Sequence, residues 1–538
     1  MKINHANDFS IEEWRPGVKT RMLISARNGA TQLCMFEQWV APGNGAPTHS
    51  HPVEEVLTVL SGEAEMWLDQ EKIIVKAGQS LIVPARRLHG FRNSAADMLH
   101  LHAVLASPIS KPCRKARPTW CGAGFRCKQA ATRTKDTMKM TGDGLALKAA
   151  FDRLRGVMAG YVERGDLPGL VMLVSHRGQI QAEAIGRLAF EGSPMTRDSI
   201  FRVTSMTKPI TAAAAMILVE DGKIGLDDPI DRWLPELANR KVLLRLDALI
   251  HQTVPARRAI TLRDLLTFRC GYGIIPVFPE RFPIQRAYAE AGLAPGPVFP
   301  SFPPDELIKR YGSLPLAFQP GESWLYNGGS EILSVLIPRV AGVTLGEFLN
   351  ERIFAPLGMK DTAFYVPKEK HHRFATAYMQ DNAARQLKVF DPPVTGRFSN
   401  PPVFENGAAG LVSTADDFNA FAQMMLNGGS LRNARVLSGE SVALMTTNHI
   451  VADEKRESQL FLGSTRGWGF GLSVFTGLDG SFAAPGRFGW DGGYGTSWYS
   501  DPQAQLTGIL LTQRVMDSPK PPAVFTDFWT TLGDAAAG

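Results

Sequence analysis

Ser205 and Lys208 stand three residues apart in Ser205-Met206-Thr207-Lys208, the only Ser-x-x-Lys in this chain of 538 residues. The segment before them, Ser199 to Val203, is β-prone. The segment after them, Pro209 to Val219, is apolar and alanine-rich and predicts a buried helix. Side chains three apart at a helix start share a face. The helix N-terminus adds a positive partial charge beside the serine. An amine so placed takes a hydroxyl proton once burial lowers its pKa. The spacing therefore points to a nucleophile and its base. Two further segments carry polar groups in the same half. Trp324-Leu325-Tyr326-Asn327-Gly328-Gly329 follows a Pro-Gly turn and precedes an apolar helix, Ile332 to Val340. Phe488-Gly489-Trp490-Asp491-Gly492-Gly493 leads through Ser497-Trp498-Tyr499 to the apolar run Thr507–Gln513, as on adjacent hairpin strands.

A second constellation lies near the start of the chain. His49 and His51 are two apart on a β-prone segment, so both face one way. Glu55 keeps their parity, and His89 returns from a later strand after Pro84. Three imidazoles and a carboxylate suit a first-row divalent metal: Mn, Fe, Ni, Cu or Zn. His100 and His102 also share a strand face. They are read as core or supporting residues of the same barrel, not as ligands.

Both constellations resemble known families. Ser205-x-x-Lys208, Tyr326 and Trp490-x-Gly492, in this order, resemble the serine β-lactamase and penicillin-binding-protein superfamily, in particular its class C and family VIII esterase branch. The likeness spans roughly residues 143 to 534 and includes Gly407 to Ala415. It implies Ser205 as nucleophile, with Lys208 and Tyr326 sharing the proton traffic. It also implies an oxyanion hole from the backbone N–H groups of Ser205 and Gly493. Two positions depart from the pattern. Gly328 stands where that branch usually has Asn. Trp490 replaces the Lys of the usual Lys-Thr-Gly, removing a cation that would hold a penicillin carboxylate. Both departures favour ester substrates. The other half resembles the cupin family: Gly43, His49, His51, Glu55 and Gly62 match its first motif, and Gly78, Pro84, His89 and Asn93 its second, with Arg86 in place of a usual Gly.

The expected architecture is multidomain. An all-β cupin barrel occupies residues 1–107, a basic flexible linker 108–142, and an α+β β-lactamase-like domain 143–534. The second domain opens with a helix near Gly144–Met158, then strands at Gly169–Val174 and Gln179–Ile185. Its terminal segments and the late strand pair are expected to complete one antiparallel sheet, with helices on one side as a second lobe. The stretch Gly271–Gly321 is rich in Pro and aromatics and suits a lid or pocket wall. There is no P-loop, no Gly-x-Ser-x-Gly and no internal repeat.

The net charge of +6 is unevenly spread. Lys111–Lys139 holds nine Lys or Arg and one Asp, a net +8, which leaves −2 for the rest. The basic character thus belongs to the linker, which also carries Cys113, Cys121 and Cys127, and gives no reason to expect a nucleic-acid partner. Five cysteines argue against a disulfide scaffold. No secretory h-region and no membrane-spanning run is visible, so a soluble cytoplasmic protein is expected.

Three functions fit. One is a serine hydrolase acting by acyl-enzyme on small esters or amides, with an accessory metal-binding cupin that senses a small molecule or mediates a homodimer. Another is a β-lactamase or D-alanyl-D-alanine peptidase. The last is a metal-dependent cupin oxygenase or isomerase with an auxiliary hydrolase half.

Overall fold

The structure, a computed structural model, describes residues 5, 9–24, 33–49, 54–69, 71–84, 87–105, 142–298, 300–381, 383–451, 458–477 and 484–537, with backbone only for 142–147 and 534–537. The chain divides into two compact units, Met1–Thr137 and Met138–Gly538. The expected linker, its three cysteines and His51 lie outside the described residues, apart from residue 142.

The first unit is all β among its described residues. Its strands are β1 (Ile11–Arg15), β2 (Val18–Ile24), β3 (Cys34–Val40), β4 (Gly45–His49) and β5 (Glu55–Ser61). They continue with β6 (Glu63–Leu68), β7 (Glu71–Lys76), β8 (Ser80–Val83), β9 (His89–Asn93) and β10 (Leu99–Leu105). They form two antiparallel sheets, ordered β1-β2-β3-β10-β5-β8 and β4-β9-β6-β7. Alternation, strict along β10, makes one core between them. Leu99, Leu101, Ala103 and Leu105 of β10 join Leu57 and Val59 of β5 and Met66 of β6 in it. Each fully buried aliphatic chain of this kind contributes about 1.5–3 kcal/mol. The same alternation turns His100 and His102 to the opposite face, beside Glu37 and Trp39 of β3. This corrects their expected place in the barrel interior. A strand has two faces, and here the apolar odd positions claim the inner one.

The second unit is α+β. Helix α1 (Gly142–Glu163) leads into β11 (Gly169–His176) and β12 (Gln179–Gly186). The nucleophile helix α2 (Thr207–Glu220) follows, then α3 (Gly328–Ala341) and α4 (Ala415–Leu426). The chain returns to the sheet with β13 (Arg466–Trp468), β14 (Ser473–Phe475), β15 (Phe488–Gly492), β16 (Thr496–Asp501) and β17 (Leu506–Thr512), and ends in α5 (Ala523–Ala537). The antiparallel sheet runs β12-β11-β17-β16-β15-β14-β13. Helices cover both faces rather than one. The opening helix expected near Gly144–Met158 is α1; the closing segment, expected in the sheet, is helix α5, and both lie against Leu170, Met172 and Val174 of β11. Val171 and Leu173 face the larger helical lobe that contains α2, α3 and α4. β11 therefore reads as a continuous apolar run because both its faces are buried.

Candidate active site and metal centre

Ser205 sits in a 3-10 turn, Thr204–Met206, that continues directly into α2. Four consecutive alanines favour that helix, and Pro209 is tolerated because first-turn N–H groups have no intrahelical partner. The turn puts Lys208 Nζ 3.0 Å from Ser205 Oγ. Nζ also donates to the Ala408 carbonyl at 2.8 Å. Lys208 is wholly buried, at 0% exposure. Burial lowers its pKa to about 7, against the opposing pull of the Glu331 carboxyl. A large neutral fraction of Lys208 therefore exists at neutral pH, which a base requires.

Tyr326 covers this pair, with Lys208 Nζ 4.5 Å from its ring centre. Its hydroxyl bonds to Ser205, and it accepts from Trp490 Nε1 at 2.7 Å. Burial raises the phenol pKa, outweighing these two hydrogen bonds. Tyr326 is thus a neutral phenol at rest, poised to carry a proton rather than to take the first one. Trp490 fills the third motif's cation position with a neutral donor.

The backbone around these groups is strained. Thr204, just before the nucleophile, has φ +40°, and Asn327, just after the tyrosine, has φ +81°. Non-glycine residues avoid this region, and a β-branched one most of all. Gly492 lets β15 run against the nucleophile turn. A Cβ there would lie 2.3 Å from Val203 O and 2.1 Å from Thr496 Oγ1. That approach delivers Gly493, whose own Cβ would meet nothing within 4 Å, to the cavity that Ser205 lines.

The cavity holds about 530 Å³. Ile274, Phe278, Pro297, Phe461 and Met516 make much of its apolar wall. The stretch Gly271–Gly321 thus does reach the site, and Tyr494 ties it down by donating to Pro297 O at 2.8 Å. The substitution of Gly328 for Asn has a steric cause: a Cβ at that position would lie 2.7 Å from Tyr272 O.

Several site residues escape sequence reasoning. The Ala408 carbonyl is a backbone group with no sequence signature. Phe268, Trp324 and Trp468 form an aromatic cage behind Tyr326 and Trp490. Their only signal is the unusual density of Trp near two motifs. Glu331, a carboxyl buried one helical turn after Tyr326, was also missed. Its signal was a charge inside an otherwise apolar helix.

In the first unit, His49, Glu55 and His89 converge, with their ligand atoms all within 4.8 Å of one another. β4 and β9 pair His49 directly with His89. Glu55 Oε2 lies 2.9 Å from His89 Nε2. The Nδ1 atoms contact the Pro47 and Arg87 carbonyls at 2.7 and 2.9 Å, an arrangement that directs Nε2 inward. This donor set fits a divalent metal; the fourth expected ligand, His51, lies outside the described residues. Among the described residues, no single helix is long and apolar enough to cross a membrane.

Comparison with known proteins agrees with both halves. The β-lactamase family profile matches residues 154–524. This chain belongs to the β-lactamase family. A cupin domain profile matches residues 36–105. Protein Rv1367c of Mycobacterium tuberculosis is 40% identical over 371 residues, 66% of this chain and 88% of that protein. Esterase EstB of Burkholderia gladioli is 32% identical over 385 residues, 67% of this chain and 89% of that protein. Among solved structures, EstCE1, a hydrolase with promiscuous acyltransferase activity, superposes with a TM-score of 0.60 at 25% identity, over 73% of this chain and all of its own. The unliganded simvastatin synthase LovD of Aspergillus terreus shares the fold, with a TM-score of 0.57 at 20% identity over 72% of this chain and 98% of that one. As a family member with esterase relatives, the chain is a serine hydrolase.

Proposed function

We propose that this serine hydrolase cleaves small carboxylic esters through an acyl-enzyme on Ser205, with the cupin as an accessory metal-binding domain. The observation that carries the reading is a wholly buried Lys208 amine 3.0 Å from Ser205 Oγ. Neutral Lys208 accepts the Ser205 proton as Oγ attacks the ester carbonyl. The backbone N–H groups of Ser205 and Gly493 receive the developing oxyanion, each worth about 3 kcal/mol of barrier. The proton passes through the Tyr326 hydroxyl to the departing alkoxide, and Trp490 holds that hydroxyl in line. Water then reverses the sequence, returning the proton to Ser205 and releasing the acid. Because the cavity wall is largely apolar, Trp490 stands where the third motif's cation would be, and Arg466 beside it is engaged by the Tyr499 hydroxyl and the Phe461 carbonyl, neutral esters suit it better than β-lactams or peptides with a terminal carboxylate. EstB is named an esterase, which supports the same reading.

The test is turnover of p-nitrophenyl acetate and butyrate beside nitrocefin. Ester turnover with nitrocefin unchanged is expected. Rapid nitrocefin turnover with poor ester turnover would favour the β-lactamase reading.

In the cupin, His49, His51, Glu55 and His89 would hold the metal, which when bound supplies Lewis acidity to a coordinated ligand. A homodimer through this unit is part of the proposal, supported by Leu60 and Ile82, which its six-stranded sheet exposes. Cytoplasmic residence is likewise proposed. The buried thiol of Cys270, which donates to the Tyr272 carbonyl, supports it.

A further inference from the structure

Glu331 is the fourth residue of α3, buried and acidic in a helix that is otherwise largely apolar. Its two oxygens are both engaged. Oε1 accepts from Asn327 Nδ2 at 2.6 Å, and Oε2 accepts the Tyr311 hydroxyl. Asn327 is the centre of a three-residue turn. The Gly328 N–H donates back to Tyr326 O at 3.2 Å, and Asn327 has φ +81° and ψ −47°. This is the rare γ-turn with positive φ, which persists only where its surroundings hold it. Two backbone bonds hold it from the helix side, from Ser330 N and Glu331 N to Asn327 O. The Glu331 carboxyl holds its side chain. Tyr326 is the residue entering the turn, so the turn fixes where its hydroxyl points.

We propose that Glu331 is a positioning residue that, through Asn327, locks the strained turn aiming Tyr326 at Ser205 and Trp490. The inference rests on the reading of Tyr326 as the proton carrier. Two observations separate it from a merely structural role. A carboxyl needing only two hydrogen-bond donors is a costly choice for a buried site, where an amide or a shorter polar chain would satisfy the same groups. The carboxyl also acts on Lys208 through space, while Tyr288 and Tyr311 face it from the other elements.

The experiment is steady-state kinetics of the full chain with p-nitrophenyl butyrate from about pH 5.5 to 9, with Tm recorded for each variant. Glu331→Ala should lower kcat about 100-fold with little change in KM, the cost of a misplaced catalytic group. Glu331→Gln keeps the size and an acceptor, so it should keep most of kcat. It should also move the acid limb of kcat/KM to lower pH, because a negative charge that raises the Lys208 pKa is gone. Asn327→Gly covers the case in which Glu331→Ala does not fold. Glycine adopts positive φ freely, so this variant keeps its Tm, yet it loses the clamp and should lose kcat about tenfold or more. Wild-type kcat in Asn327→Gly, or wild-type kcat and an unmoved acid limb in the Glu331 variants, would overturn the inference alone. No ester turnover by the wild type would instead overturn the ester reading on which it rests.

Discussion

In the hydrolase unit the nucleophile and the tyrosine each adjoin backbone that L-residues avoid, Thr204 at φ +40° and Asn327 at φ +81°. In the cupin unit Glu55 and His89 lie on paired strands, and His49 meets His89 in an antiparallel pair whose register shifts once, between Ala46 and His49. The first site is held by long-range packing. Gly492 presses against Val203, and Ala408, 200 residues from Lys208, supplies its carbonyl. The second is built from local strand pairing in two sheets, with one register shift before His49. The difference shows how each chemistry is prepared. An acyl transfer site must fix several groups before substrate arrives, and stored strain in a rigid unit does that. A metal site needs convergent donors, which sheet register provides.

This contrast can be broken by substitutions of graded effect. The largest falls on Ser205. Ser205→Ala should lower p-nitrophenyl butyrate turnover by about three orders of magnitude or more, with circular dichroism and metal content unchanged. Substantial residual turnover would mean that another group is the nucleophile. Tyr326→Phe removes the proton carrier but not the base. A loss of about 100-fold in kcat is expected, with the pH profile still governed by Lys208, and stopped-flow kinetics would measure it.

Acidity gives the next effect. With the Lys208 pKa near 7, protonation below that value removes the base. The kcat/KM profile should therefore fall about tenfold per pH unit on the acid side of neutrality and level off above it. A profile flat down to pH 5 would contradict the assignment of Lys208. The smallest effect tests whether the two sites are independent. His89→Ala should remove the metal, read by plasma mass spectrometry of the purified protein, and leave esterase turnover essentially unchanged. A proportional loss of both would mean that the hydrolase depends on the cupin.

How much was legible in advance follows the same contrast. Ser205 and Lys208 were readable because a helix start fixes their relation locally. Trp490, Gly492 and Gly493 were readable as a glycine-rich strand, Glu55 by its parity with His49, and His89 by its return on a strand after Pro84. What escaped depends on distant packing. Nothing near Ala408 announces that its carbonyl binds the lysine amine, and nothing near Glu331 announces the turn it clamps. His100 and His102 were placed on the wrong face, although the apolar residues at 99, 101 and 103 already assigned the inner face to odd positions. The closing segment was expected in the sheet; it is instead helix α5, whose apolar side chains pack with those of α1 against the back face of the sheet.

The most direct measurement is intact mass followed by peptide mapping after brief exposure of the full chain to a fluorophosphonate. A single adduct on Ser205, absent from Ser205→Ala and formed more slowly as pH falls below 7, is the predicted result. Ester turnover without an adduct, or an adduct on any other residue, would contradict a site built on Ser205 and its buried lysine.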